Sequence, residues 1–344
     1  HLELPAGSVE GAVTNDIFCR TCVYFQVRQF FDRLCKIPLD FLEQLLYDRH
    51  MLSQERQLDI RPISQEALKM NAQEIMKVFE DTAFPHTGGS DEELKVAHYI
   101  QDKMAKLGLE TTIEPFPVDM ATMHKAVLTV DGKEITCKGY LCASSATVEA
   151  PFYYMPSNDP YSLSKCKGKI VLIDGYMGYW MYQDILENGA VGFITYDGNA
   201  NYADHNIDQR ELRSWVSKGN KIPGVNINAK DAIELIKNGA SSASIVLEQD
   251  EYTGESRNVV LEMPGEVEEY IVFSAHYDST SLSNGAYDNM SGSVGLMGIA
   301  EYFSNHPHHY GLKFVWCGSE ERGLLGSKAY SEAHKDALDK AVLN

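Results

Sequence analysis

The sequence predicts an α/β protein on a mixed, mostly parallel sheet, interrupted by a β-rich insertion, and three observations carry that prediction. Residues 256–344 alternate strand and helix patterns, the arrangement that buries a sheet under helices. Residues Ile63 to Leu109 show apolar residues at helical spacing. Between these stretches, from about residue 124 to 248, short apolar strands are punctuated by turn signals and two brief helices.

In chain order, Ile17 to Tyr47 is dense in Phe, Leu, Cys and Tyr, with Phe30, Phe31, Leu34 and then Phe41, Leu42, Leu45, Leu46 at helical spacing. Pro38 marks a break between two short helices. The Cys19-Arg20-Thr21-Cys22 pair has no second closely spaced pair after it, so a four-ligand zinc site is not expected there. A helix is expected from Ser64, with Leu68, Ile75, Met76 and Phe79 inward. His86-Thr87-Gly88-Gly89-Ser90 reads as a loop, and Ser90 with Glu93 as a capping box for a helix lined by Val96, Ile100, Met104 and Leu107. Gly108 ends that helix and a strand from Glu110 to Val118 follows.

Within the insertion, strands are expected at Ala126–Val130, Lys169–Ile173, Val191–Thr195 and Ala243–Leu247, with helices at Met181–Asn188 and Lys230–Asn238. Phe152, Tyr153, Tyr154, Tyr176, Tyr179, Trp180 and Tyr182 form an aromatic cluster that reads as core. Beyond it, strands at Asn258–Met263, Tyr270–Ala275 and Lys313–Cys317 and a helix at Ser291–Asn305 complete the pattern. The segments are therefore 1–65, 66–123, 124–250 and 251–344.

Composition narrows the function. The 344 residues carry a net charge of −19, against a nucleic-acid partner, whose phosphates demand a basic surface. No apolar run of about 18 residues is available for a membrane-spanning helix. Seven cysteines are too few and scattered for a disulfide scaffold, although Cys137, Cys142 and Cys166 are close enough to include one bridge.

The chemistry lies after residue 256. Ile271 to Ala275 reads as a buried parallel strand with His276-Tyr277-Asp278 at its carboxyl end, where open α/β sheets bind ligands. Asp278 is placed to accept a hydrogen bond from one ring nitrogen of His276 and so fix the other for a metal. Asp288 and Ser291 precede a helix, and alone each would read as its cap. Glu320 and Glu321 follow a second buried strand, where adjacent like charges need a cation. One such glutamate can ligate a metal while its neighbour serves as general base on bound water.

Taken together, His276-Tyr277-Asp278, Asp288, and Glu320-Glu321 ahead of Gly323-Leu324-Leu325-Gly326-Ser327 resemble the co-catalytic zinc aminopeptidase family. Its relatives include glutamate carboxypeptidases and glutaminyl cyclases. The resemblance covers about residues 66–120 and 256–344, and residues 124–250 resemble the protease-associated domain inserted in such enzymes. It implies a three-layer zinc exopeptidase core holding two Zn2+. His276 would bind one ion, Asp288 would bridge both and Glu321 would bind the second. Glu320 would be the general base and Asp278 the residue that orients His276. It also implies a cis peptide between Asp288 and Asn289, a peptide substrate trimmed from its amino end, and work outside the cytoplasm. The alternatives are a carboxypeptidase of the same family, a glutaminyl cyclase, or an inert chain that acts only as a binding module. The family's remaining aspartate and histidine ligands have no counterpart before Asn344, and His306, His308, His309 and His334 do not fit those places, so a truncated chain is expected.

Overall fold

Asn71 caps the first helix: its side chain accepts the N–H groups of Gln73 and Glu74, and the Glu74 carboxylate returns to the Asn71 N–H. The computed structural model describes residues 70–174 and 177–344. The 1–65 segment with its Cys-x-x-Cys, and Ser64 where the helical pattern starts, fall outside the described residues. Helix α1 (Ala72–Asp81) turns Val78 and Phe79 inward. Helix α2 (Asp91–Lys106) buries Val96, Ile100 and Met104 on one face, as its period predicts. Ser90 accepts the Glu93 N–H at 3.1 Å, but the capping box is not completed. Glu93 is fully buried, and its carboxylate takes the Gly89 N–H at 2.8 Å.

Strand β1 (Thr111–Val130) runs unbroken through the two strands expected at 110–118 and 126–130. There follow β2 (Lys133–Ile135), β3 (Lys138–Gly139), β4 (Ala146–Met155), the short helix α3 (Pro160–Leu163), β5 (Ile170–Ile173), α4 (Tyr179–Glu187) and β6 (Gly192–Asp197). Helix α5 (Ser214–Ser217), β7 (Gly224–Asn228) and α6 (Ala229–Lys237) come next. Strand β8 (Ser242–Met263) then returns antiparallel to β1, from Val130↔Ala243 to Thr111↔Leu261, with a slip between Met123 and Lys125. The chain continues through β9 (Tyr270–His276), a π-turn at Ala286–Met290, α7 (Ser291–Phe303), β10 (Gly311–Cys317), α8 (Leu325–Ala333) and β11 (Ala341–Leu343).

The result is the mixed α/β architecture expected, with strand order β11-β9-β10-β8-β4-β5-β6-β7-β3. Strands β11, β9 and β10 are parallel, β8 runs antiparallel to β10 and to β4, and β4 to β7 are again parallel. Strand β10 is buried on both faces: Phe314 and Trp316 on one, Val315 and Cys317 on the other beside Tyr330 of α8. The Trp316 indole N–H donates to the Ser293 carbonyl of α7 at 3.0 Å, which satisfies its one polar atom inside the core. Residues between 128 and 247 share a core around Leu172, Tyr182, Phe193 and Ile245. The aromatic cluster divides, because Phe152 and Tyr182 enter this core while Trp180 is 75% exposed. Trp180 lies in α4 two residues before Tyr182, and residues two apart on a helix face different ways. Cys137, Cys142, Cys166 and Cys317 are all free, so none of the bridges that spacing allowed is present among them.

Candidate metal centre

Strands β9 and β10 are parallel neighbours in register, with Cys317 opposite His276, so their carboxyl ends deliver both motifs to one place. The Tyr277 N–H still pairs with the Cys317 carbonyl at 3.0 Å, and Asp278 then points back under the loop after β10. Asp278 is fully buried; one carboxylate oxygen accepts the Glu320 N–H at 2.8 Å and the other the Glu321 N–H at 3.1 Å. The same carboxylate lies 3.4 Å from His276 Nδ1. That nitrogen is closer, at 3.2 Å, to the main-chain carbonyl of Asp278. The ring is therefore fixed by Asp278 through main chain and side chain together.

His276 Nε2 faces the carboxylates, 3.0 Å from Asp288 Oδ1 and 3.6 Å from Glu320 Oε2. Asp288 sits in the π-turn with φ −117° and ψ 98°, and the Asp288–Asn289 peptide is cis. Ligand atoms of His276, Glu320 and Glu321 all lie within 4.8 Å of one another, so Glu320 stands inside the same cluster as Glu321. Three of the side chains named from the sequence, His276, Glu320 and Glu321, form the cluster, while Asp288 reaches it through His276 Nε2 and Asp278 holds the main chain of both glutamates.

The electrostatics are those of a cation site. Burial alone would lower the His276 pKa, but the bond to Asp278 and the charges of Asp278, Glu320 and Asp288 outweigh it and push the ring up to about 9. Burial, then repulsion from Asp288, Asp278 and Glu320, pushes the Glu321 carboxyl up to about 7. Carboxylates crowded around one imidazole repel each other until a positive ion joins them, and one nitrogen with several carboxylate oxygens is a donor set that fits zinc.

The four histidines set aside in the sequence are engaged elsewhere. His334 meets Glu114 at 2.9 Å, His309 meets Glu266 at 3.0 Å, and His306 and His308 contact main-chain carbonyls at 2.7 Å. Sequence reasoning missed several supports. The Arg213 side chain, from the inserted region, donates to the Glu321 carbonyl. Arg322 is held by Glu211 at 2.8 Å and by the Gly88 carbonyl at 3.2 Å. Ser293 Oγ donates to the His276 carbonyl at 2.9 Å. Each is an ordinary polar residue on a loop or helix, with no spacing that would single it out.

Comparison with known proteins agrees with this geometry. A model described as Peptidase family M28 matches residues 258–344. Aminopeptidase YwaD of Bacillus subtilis is 27% identical over 262 residues, covering 72% of this chain and 54% of that protein. The probable lipoprotein aminopeptidase LpqL of Mycobacterium tuberculosis is 24% identical over 251 residues, covering 68% of this chain and 48% of that protein. The chain thus spans about half the length of these curated relatives. Among solved structures, BSAP, a zinc aminopeptidase from Bacillus subtilis, aligns with a TM-score of 0.66 and 25% identity over 80% of this chain and 68% of that one. An aminopeptidase from Aneurinibacillus aligns with a TM-score of 0.62 and 20% identity over 80% of this chain and 70% of that one, which speaks for the fold. The motif-bearing residues His276, Asp278, Asp288, Glu320 and Glu321 all lie inside the stretch that is similar to Peptidase family M28.

Proposed function

We propose that the protein is a zinc-dependent aminopeptidase, and the observation that carries this reading is the convergence of His276, Asp288, Glu320 and Glu321 above Asp278. His276, Asp288 and Glu321 are the residues that would hold two zinc ions. Bound zinc would polarise the scissile carbonyl and acidify a water molecule. Glu320, 3.6 Å from His276 Nε2, is the carboxylate that would take a proton from the attacking water and pass it to the departing amine. Asp278 holds the Glu320 and Glu321 main chain and keeps the His276 ring in one tautomer, so neither carboxylate has to be ordered at the moment of reaction. The named activity of YwaD, LpqL and BSAP supports removal of amino-terminal residues. Residues 124–250 are read as an inserted protease-associated domain. Among the described residues, no helix is long and apolar enough to cross a membrane.

A carboxypeptidase is the second reading, and Arg213 is what favours it. A cavity of about 380 Å³ beside Glu321 is bordered by Arg210, Arg213 and Arg322. Arg210 pairs with Asp197 at 2.5 Å and Arg322 with Glu211, whereas Arg213 makes no ion pair among the described residues. Peptides blocked at one end separate the two: an aminopeptidase rejects an acetylated amino terminus and accepts an amidated carboxyl terminus. Glu320→Gln is expected to lower kcat by roughly 10²–10⁴-fold with zinc content unchanged. Elemental analysis beside the turnover assay checks this, and near-normal turnover would remove Glu320 from its role.

A further inference from the structure

The loop that carries Glu320 and Glu321 leaves β10 through Gly318 and Ser319, and Ser319 holds a left-handed backbone, φ 51°. That conformation is unfavourable for a residue with a side chain and persists only where the surroundings hold it. The Ser319 N–H donates to Glu93 Oε1 at 3.0 Å. The Ser256 hydroxyl reaches the same oxygen at 2.7 Å, and the Gly89 N–H reaches Oε2 at 2.8 Å. Arg257 stands 3.9 Å away. The next two N–H groups, of Glu320 and Glu321, go to Asp278. Three consecutive amides are thus held by two buried carboxylates. The fit is tight as well: a Cβ on Gly318 would lie 2.5 Å from Glu93 Oε1 and 2.4 Å from the Arg257 carbonyl.

Burial pushes the Glu93 carboxyl up to about 7, against the hydrogen bonds from Ser256 and Gly89. At neutral pH its charged form is therefore retained at some expense of stability, the pattern of a residue kept for function. We propose that Glu93 is a positioning residue: it sets the path of the 318–321 loop, so that metal affinity and turnover depend on a side chain that touches neither metal nor substrate. This rests on the reading of His276, Glu320 and Glu321 as a metal centre.

The test compares the wild-type full-length protein with Glu93→Gln, using Co2+ as the probe. Glutamine keeps the shape but cannot accept from both sides. Thermal unfolding at pH 7.5 should stay close to wild type, because removing the buried charge offsets the hydrogen bond that the amide cannot accept. Co2+ affinity, measured by chelator competition, should fall roughly 10–100-fold, the visible Co2+ absorption should change, and kcat should fall with KM little altered. Unaltered Co2+ affinity and absorption in the variant overturns the proposal, as does a loss seen only alongside a lower unfolding temperature. If Glu93→Gln does not fold, Ser256→Ala removes one of its donors, and an unaltered Co2+ spectrum there overturns it equally. A wild-type protein that binds Co2+ and cleaves no peptide refutes the aminopeptidase reading alone, because the Co2+ readout still judges Glu93. A wild-type protein that binds no Co2+ overturns both.

Discussion

Replacing Asp278 by asparagine keeps the shape of the side chain while removing its charge and one of its two acceptors. In the structure both acceptors are used, at 2.8 Å by the Glu320 N–H and at 3.1 Å by the Glu321 N–H, with no exposure to water. The asparagine amide can answer one of these N–H groups and presents a donor to the other. Losing a bond to a charged acceptor costs about 1.5–3 kcal/mol, and the buried N–H left facing a donor adds about 1–3 kcal/mol. The sum is roughly 3–5 kcal/mol, and at about 2–4 °C per kcal/mol the unfolding temperature should fall by about 10 °C. The assay is thermal unfolding of the chelator-treated protein at pH 7, followed by circular dichroism. Zinc affinity should fall as well, by roughly 10–100-fold, because the His276 ring loses its charged partner. An Asp278→Asn protein that melts within about 2 °C of wild type would refute the claim that this carboxylate anchors the loop.

Two further outcomes follow from the same region. The folded chain holds on Glu93, up to about pH 7, a proton that the unfolded chain releases near 4.5. Its contribution to stability is therefore greatest below pH 4.5 and falls by about 3 kcal/mol as pH rises to 7. Denaturant unfolding of wild type and Glu93→Gln across that range should give a flatter pH profile for the variant, and parallel profiles would contradict the assignment. Gly326→Ala would place a Cβ 2.3 Å from the Gly318 carbonyl and 2.5 Å from Asn258 Oδ1. It should destabilise the protein by about 1–3 kcal/mol through overpacking, read as a lower urea midpoint.

The candidate metal centre was legible where its residues follow strand ends, since β9 and β10 are parallel neighbours that bring His276 and Glu320 side by side. The second layer was not. Glu93 reads in sequence as the third helical residue of a cap, and only the approach of Ser319 and Ser256 gives it another occupation. The long strands were hidden for a different reason. Asp119 to Lys125 in β1 and Gln249 to Glu255 in β8 are mostly half-exposed or exposed, so no apolar alternation marks them as strand. Pro115 and Pro117 lie inside β1 where it pairs only with β8, and proline is tolerated along an edge. Strand β4 was masked by its aromatic run, since Phe152 is buried while Tyr153 and Tyr154 are half-buried.

The paired strands β1 and β8 also have a mechanical meaning. They run as a single two-stranded beam, paired from Thr111↔Leu261 to Val130↔Ala243. A hinge across the middle of this ladder would have to bend both strands at once. The pairing slips only between Met123 and Lys125, and a bulge there adds twist to the beam. Because β8 also pairs with β10, a load on the Val130 end of the ladder reaches the strand beside His276 through continuous hydrogen bonds, with the one slip lying at His124.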